Sequence, residues 1–262
     1  MSMTPLVQVE HLSTHFQLSK GLFRKHSGIN KAVDDVSFTI HEGEIVGVIG
    51  ESGSGKTTLA KTILCLEKKT SGHVFVDGVD IHTLSGKELL AYRKKLQIVF
   101  QNPSDSLNIR KTVFEMLHEV IYFHKIVKTE SDALEFSSSL LQKVGLDASY
   151  LSRYPHELSI GQQQRICLAR SLCTKPKLLV LDECTSALDI SVQAQVLNLL
   201  LELHQEQNLS YLLISHDLSV VYHLADKVLV LYQGKIVESG PVEQVFNTPQ
   251  HPYTKKLLAS AM

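Results

Sequence analysis

Apolar and polar residues alternate through Val36-Ser37-Phe38-Thr39-Ile40, the period of a strand with one buried face. Past the turn at Glu42-Gly43 the pattern changes. The run Glu44-Ile45-Val46-Gly47-Val48-Ile49 is almost continuously apolar and predicts a strand covered on both faces. Leu96–Phe100, Leu178–Leu181 and Tyr211–Ile214 read the same way, and Val74–Val76 leads into a turn at Asp77-Gly78. Helical spacing covers residues 56–66, then 111–145 with a polar break at Thr129–Asp132. It returns over Ser191–Gln207, where Val192, Val196, Leu199, Leu200 and Leu203 form one stripe. Val228–Leu231 and Lys235–Glu238 flank Gln233-Gly234 and predict a closing hairpin. Buried strands alternating with helices imply an α/β fold with a parallel sheet and crossovers.

Composition narrows the classes. The 262 residues suffice for one large domain or two lobes. Lys plus Arg total 26 against 27 Asp plus Glu, a net charge of -1, which argues against a polybasic nucleic-acid binder. No apolar run approaches the roughly 18 residues that span a bilayer. The start, through Leu12, shows no secretory signal, so a soluble intracellular protein is expected. Cys65, Cys167, Cys173 and Cys184 form no CxxC pair and are expected as reduced, packed thiols with no metal cluster.

Chemistry enters at Gly50-Glu51-Ser52-Gly53-Ser54-Gly55-Lys56-Thr57-Thr58, which satisfies G-x-x-x-x-G-K-[ST] between a predicted strand and a predicted helix. Glycines let the loop turn its N–H groups toward phosphate oxygens, and the helix N-terminus adds a favourable dipole. Lys56 is placed to reach the β- and γ-phosphates and Thr57 to hold Mg²⁺. The apolar strand Leu178–Leu181 ends in Asp182-Glu183. A carboxylate there suits a metal, and a second one suits a general base for the attacking water; a surface acidic pair would look the same in isolation.

The segment Leu158-Ser159-Ile160-Gly161-Gln162, followed by Gln163-Gln164-Arg165, resembles the signature of ATP-binding cassette (ABC) ATPases. The other elements of that family stand in its order: Phe16 at the adenine-stacking position, Gln101 at the Q-loop, Ser186-Ala187-Leu188-Asp189 at the D-loop and His216 at the switch histidine. The insertion around Gly21-Leu22-Phe23-Arg24, the stretch Gln101–Asn108 and the tail His251-Pro252-Tyr253-Thr254 resemble the oligopeptide/dipeptide importer branch. The resemblance implies a RecA-like P-loop NTPase core with an N-terminal antiparallel β subdomain and an inserted α-helical subdomain. Core and β subdomain are expected over 1–101 and 163–262, and the helical subdomain with the signature over 102–162.

The resemblance further implies ATP and Mg²⁺, the metal held by Thr57, Gln101 and Asp182. It makes Glu183 the base, and His216 and Gln101 its companions at the γ-phosphate. The partners implied are a second, homologous ATPase subunit in a heterodimer, two transmembrane permeases and an extracytoplasmic substrate-binding protein, with no nucleic acid. The expected location is peripheral, on the cytoplasmic face of the inner or plasma membrane. The competing reading is a soluble ABC clamp acting on nucleic acid or ribosomes. A guanine-reading motif at Asn30-Lys31-Ala32-Val33-Asp34 has one residue too many and is taken as coincidence. Ile160 departs from the family's usual Gly and is expected to weaken the site that uses this signature; Cys184 stands where Pro is usual.

Overall fold

The computed structural model describes residues 5–18, 28–186 and 188–260. The insertion at Gly21–Arg24, most of the basic stretch from Lys20, Ala187 of the D-loop and Met262 lie outside the described residues. Two compact units emerge, one running through Arg93 and resuming at Ser210, the other spanning Lys94–Leu209.

The first unit opens with β1 (Val7–Leu18) and β2 (Gly28–Ile40), antiparallel with Val7 opposite Ile40. After β3 (Ile45–Ile49) and α1 (Lys56–Ile63) come β4 (Ser71–Val76) and β5 (Val79–Asp80). These complete an antiparallel sheet of order β2-β1-β4-β5. Val7, Val9, Leu12, Val33, Val36, Ile40, Val74 and Val76 are among its buried side chains. β1 is absent from the hydrophobic pattern for a reason. His11 is left-handed at φ 47° and the register slips between Val9 and Leu12 and again before Thr14, so the period of two is interrupted. α1 stops three residues short of the expected Leu66. Cys65 turns left-handed while the Leu66 and Cys65 N–H groups close back on the Lys61 and Thr62 carbonyls, a Schellman ending. α2 (Gly86–Lys95) buries no side chain, so no apolar stripe announces it.

The second unit holds β6 (Leu96–Val99), α3 (Pro103–Ser106), α4 (Val113–Phe123), α5 (Glu130–Lys143), α6 (Ile160–Leu172), β7 (Leu178–Asp182) and α7 (Ile190–Gln207). β6 and β7 run parallel, Val99 beside Leu181. The polar cluster at Thr129–Asp132 is the first turn of α5 rather than the linker: the Thr129 hydroxyl caps the helix by accepting the Asp132 N–H. On α7 the expected stripe is buried at Val196, Leu199, Leu200 and Leu203, while Val192 is half-buried.

Back in the first unit are β8 (Ser210–Ile214), α8 (Leu218–Leu224), β9 (Lys227–Tyr232), β10 (Lys235–Pro241), α9 (Val242–Asn247) and α10 (Pro252–Ala259). β3 lies between β8 and β9, parallel to both, and β9 pairs with β10 as the expected hairpin. Every residue of β3 and β8 is buried, which is why both read as unbroken apolar runs. In each unit the parallel strands deliver the candidate residues at their carboxyl ends, the usual place for a ligand site in an α/β sheet. Gly50 follows β3 and His216 follows β8; Gln101 follows β6 and Asp182 closes β7. Among the described residues no helix is long and apolar enough to cross a membrane.

Candidate nucleotide site

The glycine-rich loop joins β3 to α1. Gly50 and Gly55 have φ of 153° and 110°, and a Cβ on either would overlap backbone: the Leu231 carbonyl at Gly50, the Ala32 carbonyl at Gly55. Neither carbonyl can yield, so both positions require glycine. The Gly234 N–H donates to the Ser54 carbonyl at 2.9 Å and holds the loop from the hairpin side. Lys56 is buried, and its ammonium donates to the Gly50 and Glu51 carbonyls at 2.8 and 3.0 Å. The Ser54 Oγ is buried with no hydrogen-bond partner among the described residues. Gly55 provides no side-chain cap and the first turn of α1, with Thr57 and Thr58, holds no acidic residue. The helix dipole there suits an anion. An unpaired hydroxyl and a folded-back lysine, on a loop whose backing carbonyls leave Gly50 and Gly55 no room for a Cβ, are the features of a polyphosphate cradle. Glu51, Ser52 and Gly53 form the loop's exposed outer edge.

Phe16 is half-buried near the end of β1, opposite Asn30. His216 is exposed just past β8, in a turn where the Asp217 N–H donates to Ser215 Oγ at 3.0 Å and Asp217 in turn caps α8. The parallel register, Val48 beside Ile214, brings the start of the loop and this turn to the same end of adjacent strands.

In the second unit the register of β6 and β7 predicts that Gln101 meets Glu183, and it does. Gln101 Nε2 donates to Glu183 Oε2 at 3.0 Å and to Ser186 Oγ at 3.2 Å, and Ser186 Oγ donates to the Glu183 carbonyl at 2.9 Å. Asp182 is buried at 4% exposure. Glu183 is left-handed at φ 50°, a conformation uncommon for a non-glycine residue, and this kink separates its direction from that of Asp182. Next to it, burial pushes the Cys184 thiol up to about 12, so it stays protonated. After Leu188, Asp189 caps α7: its carboxylate accepts the Ser191 hydroxyl at 2.7 Å and the Val192 N–H at 3.0 Å, which hold it below the usual carboxylate range.

The signature turn opens α6. Ser159 Oγ accepts the Gln162 N–H, and Gln162 Oε1 accepts the Ser159 N–H at 3.0 Å, a capping box. Gly161 and Ile160 face opposite ways. A Cβ at Gly161 would overlap Val192 Cγ1 of α7, whereas Ile160 is 48% exposed. An open cleft of about 490 Å³ beside the turn is lined by Ser159, Gly161, Gln162, Arg165, Tyr150 and Val192, among others.

Residues 33–186 match the family model described as ABC transporter. The chain belongs to the ABC transporter family. Residues 237–262 of this ABC protein match a second model, the oligopeptide/dipeptide transporter C-terminal region. The oligopeptide transport ATP-binding protein OppF of Bacillus subtilis (strain 168) is 44% identical over 256 residues, 97% of this chain and 82% of OppF. The dipeptide transport ATP-binding protein DppF of Escherichia coli (strain K12) is 45% identical over 256 residues, 98% of this chain and 76% of DppF. Among solved structures, a dimeric post-hydrolysis state of the ATP-binding cassette MJ0796 bound to ADP and Pi matches with a TM-score of 0.78. Its identity is 27%, over 90% of this chain and 98% of that one. The ABC protein is thus an α/β P-loop NTPase, with the antiparallel sheet and the helical segment the family resemblance implies.

Sequence reasoning missed a supporting residue of this ABC ATPase. Gln163 is buried and its amide donates to the Pro155 and Leu158 carbonyls at 2.9 and 3.2 Å, while its Oε1 accepts from Ser104 Oγ at 2.8 Å. It therefore fixes the approach to Ser159, with Leu158 buried beneath. Within a run of three glutamines, no spacing distinguishes it from Gln162 or Gln164.

Proposed function

We propose that this ABC ATPase hydrolyses ATP to drive uptake of oligopeptides, dipeptides or a related small solute. In this reading it sits at the cytoplasmic face of the inner or plasma membrane, bound to two permease subunits and a second, homologous ATPase. An extracytoplasmic substrate-binding protein delivers the solute. The observation that carries the reading is the match of residues 237–262 to the transporter C-terminal region, joined to near-full-length relatives with oligopeptide and dipeptide names.

The residues take the following parts. Loop amides, Ser54 and Lys56 bind the phosphates, Thr58 extends the first turn of α1, and Phe16 stacks the adenine. The hydroxyl, carboxylate and amide oxygens of Thr57, Asp182 and Gln101 are hard donors of the kind Mg²⁺ takes. Bound there, Mg²⁺ supplies charge neutralisation of the β- and γ-phosphates. Glu183 orients the attacking water and accepts its proton, steadied by Gln101 at 3.0 Å. His216 contacts the γ-phosphate. In a head-to-tail dimer Ser159, Gly161 and the N-terminus of α6 close the partner's site, Leu158 and Gln162 hold that turn in shape, and the D-loop through Asp189 lies along the seam. The dimeric MJ0796 cassette with ADP and Pi supports this arrangement.

Purifying the complex from membranes through a tag on this chain tests the reading. Two permease subunits and a second ATPase are the expected companions. Recovery with ribosomes or nucleic acid and without a permease would overturn it in favour of a soluble clamp.

A further inference from the structure

Tyr253 joins the C-terminal segment to the nucleotide loop. Tyr253, in the first turn of α10, is 8% exposed, and its phenol oxygen accepts the Glu51 N–H at 2.9 Å. Its ring lies against Tyr232 at the end of β9, centroids 4.1 Å apart. The segment carrying it is itself pinned. Glu238 of β10 accepts the Gln250 and His251 N–H groups at 2.7 and 2.9 Å, and His251 Nδ1 accepts the Tyr253 N–H at 3.2 Å. Pro252 opens α10 where a missing N–H costs nothing. An unbroken set of hydrogen bonds therefore runs from Glu238 to the second residue of the loop.

The Glu51 peptide groups are held differently. Its carbonyl accepts the Ser54 N–H at 3.1 Å within the loop and the Lys56 ammonium at 3.0 Å, the second a contact Lys56 must give up to meet a phosphate. Its N–H is held from outside the loop, by Tyr253. We propose that Tyr253 is a positioning residue for ATP. It keeps the Glu51 end of the loop in place when Lys56 turns to the nucleotide, which makes the C-terminal segment a working part of the nucleotide site. The proposal rests on the loop being the phosphate cradle. Its physical content is preorganisation: a loop already held in its binding shape loses less entropy on binding.

The test uses the full chain and Mg-ATP. Tyr253→Phe keeps the ring and its contact with Tyr232 and removes only the acceptor oxygen. The expected result is ATP binding weaker by about threefold to tenfold, the range of one hydrogen bond. Exchange at the Glu51 amide should accelerate, with the melting temperature lowered by no more than about 4 °C. Lys56→Ala should lose ATP binding. Unchanged affinity and unchanged Glu51 exchange in Tyr253→Phe, with binding lost in Lys56→Ala, overturns the positioning role alone. Native-like binding by Lys56→Ala overturns the cradle reading as well. In the unaltered, nucleotide-free chain the Glu51 amide should already be protected; rapid exchange there sinks the proposal whether or not the variant folds.

Discussion

Two turns of this protein present helix N-termini, and they are built in opposite ways. The glycine-rich loop of the first unit is supported from behind. Leu231 and Ala32 carbonyls press on Gly50 and Gly55, Gly234 holds Ser54, and Tyr253 holds Glu51. The signature turn of the second unit is supported from below by Gln163 and from one side by Val192, and its outer side carries the exposed Ile160. A turn held from behind at several backbone groups defines a binding shape by itself. A turn with one finished face and one open face is suited to completing a site on another molecule. The comparison also relocates the departure at Ile160: its bulk lies on the open face and leaves the Gly161 packing untouched.

The largest expected effect separates binding from turnover. Glu183→Gln should leave ATP binding intact and lower hydrolysis in the assembled complex by about 10²- to 10⁴-fold. Equal turnover of variant and wild type would remove Glu183 as the base. On the closed face of the signature turn, Gly161→Ala forces a methyl into Val192. A stability loss of about 1–2 kcal/mol is expected, overpacking offset in part by alanine's better helix propensity. Combining it with Val192→Ala should restore the melting temperature; a single variant as stable as wild type would mean the helices part without cost.

On the open face, Ile160→Gly should raise ATPase turnover of the complex. Relief of a contact of about 1 kcal/mol corresponds to roughly fivefold. A flat or reduced rate would show that Ile160 is no handicap.

The smallest effect probes the support behind the loop. Burial raises the Glu238 carboxyl, but the Thr254 side chain and the hydrogen bonds that Glu238 accepts from the Gln250 and His251 N–H groups together outweigh this and hold it below its ordinary 4.5. Because the folded-state value is depressed, its stabilisation is complete above about pH 4.5 and is lost as pH falls through the folded-state value. Melting temperatures taken as the pH falls from 5 should decline less steeply in Glu238→Gln than in wild type, and parallel curves would assign the acid loss elsewhere.

What the sequence revealed depended on whether a residue's partner was local. β3 and β8 were legible because burial on both faces leaves a continuous apolar run, and the loop at Gly50–Thr57 because its chemistry is packed into consecutive positions. The contact of Gln101 with Glu183 became readable once two parallel strands were in register. By contrast, β1 lost its period at His11, and α2 offered no buried face to detect. The bond between Glu51 and Tyr253 joins residues 202 positions apart through a backbone amide, so the tail motif that holds Tyr253 could be read but its partner could not. Gln163 was hidden for a similar reason, since its amide donates to two backbone carbonyls.

The missing Cβ of Gly161 has a mechanical meaning. Val192 sits in the first turn of α7, three residues after the D-loop Asp189 that caps it, and occupies the space a side chain at 161 would need. The starts of α6 and α7 are therefore meshed like two gear teeth. A displacement of the start of α7 pushes on the start of α6 through this contact, and in the proposed dimer the two turns would move as one rigid prong.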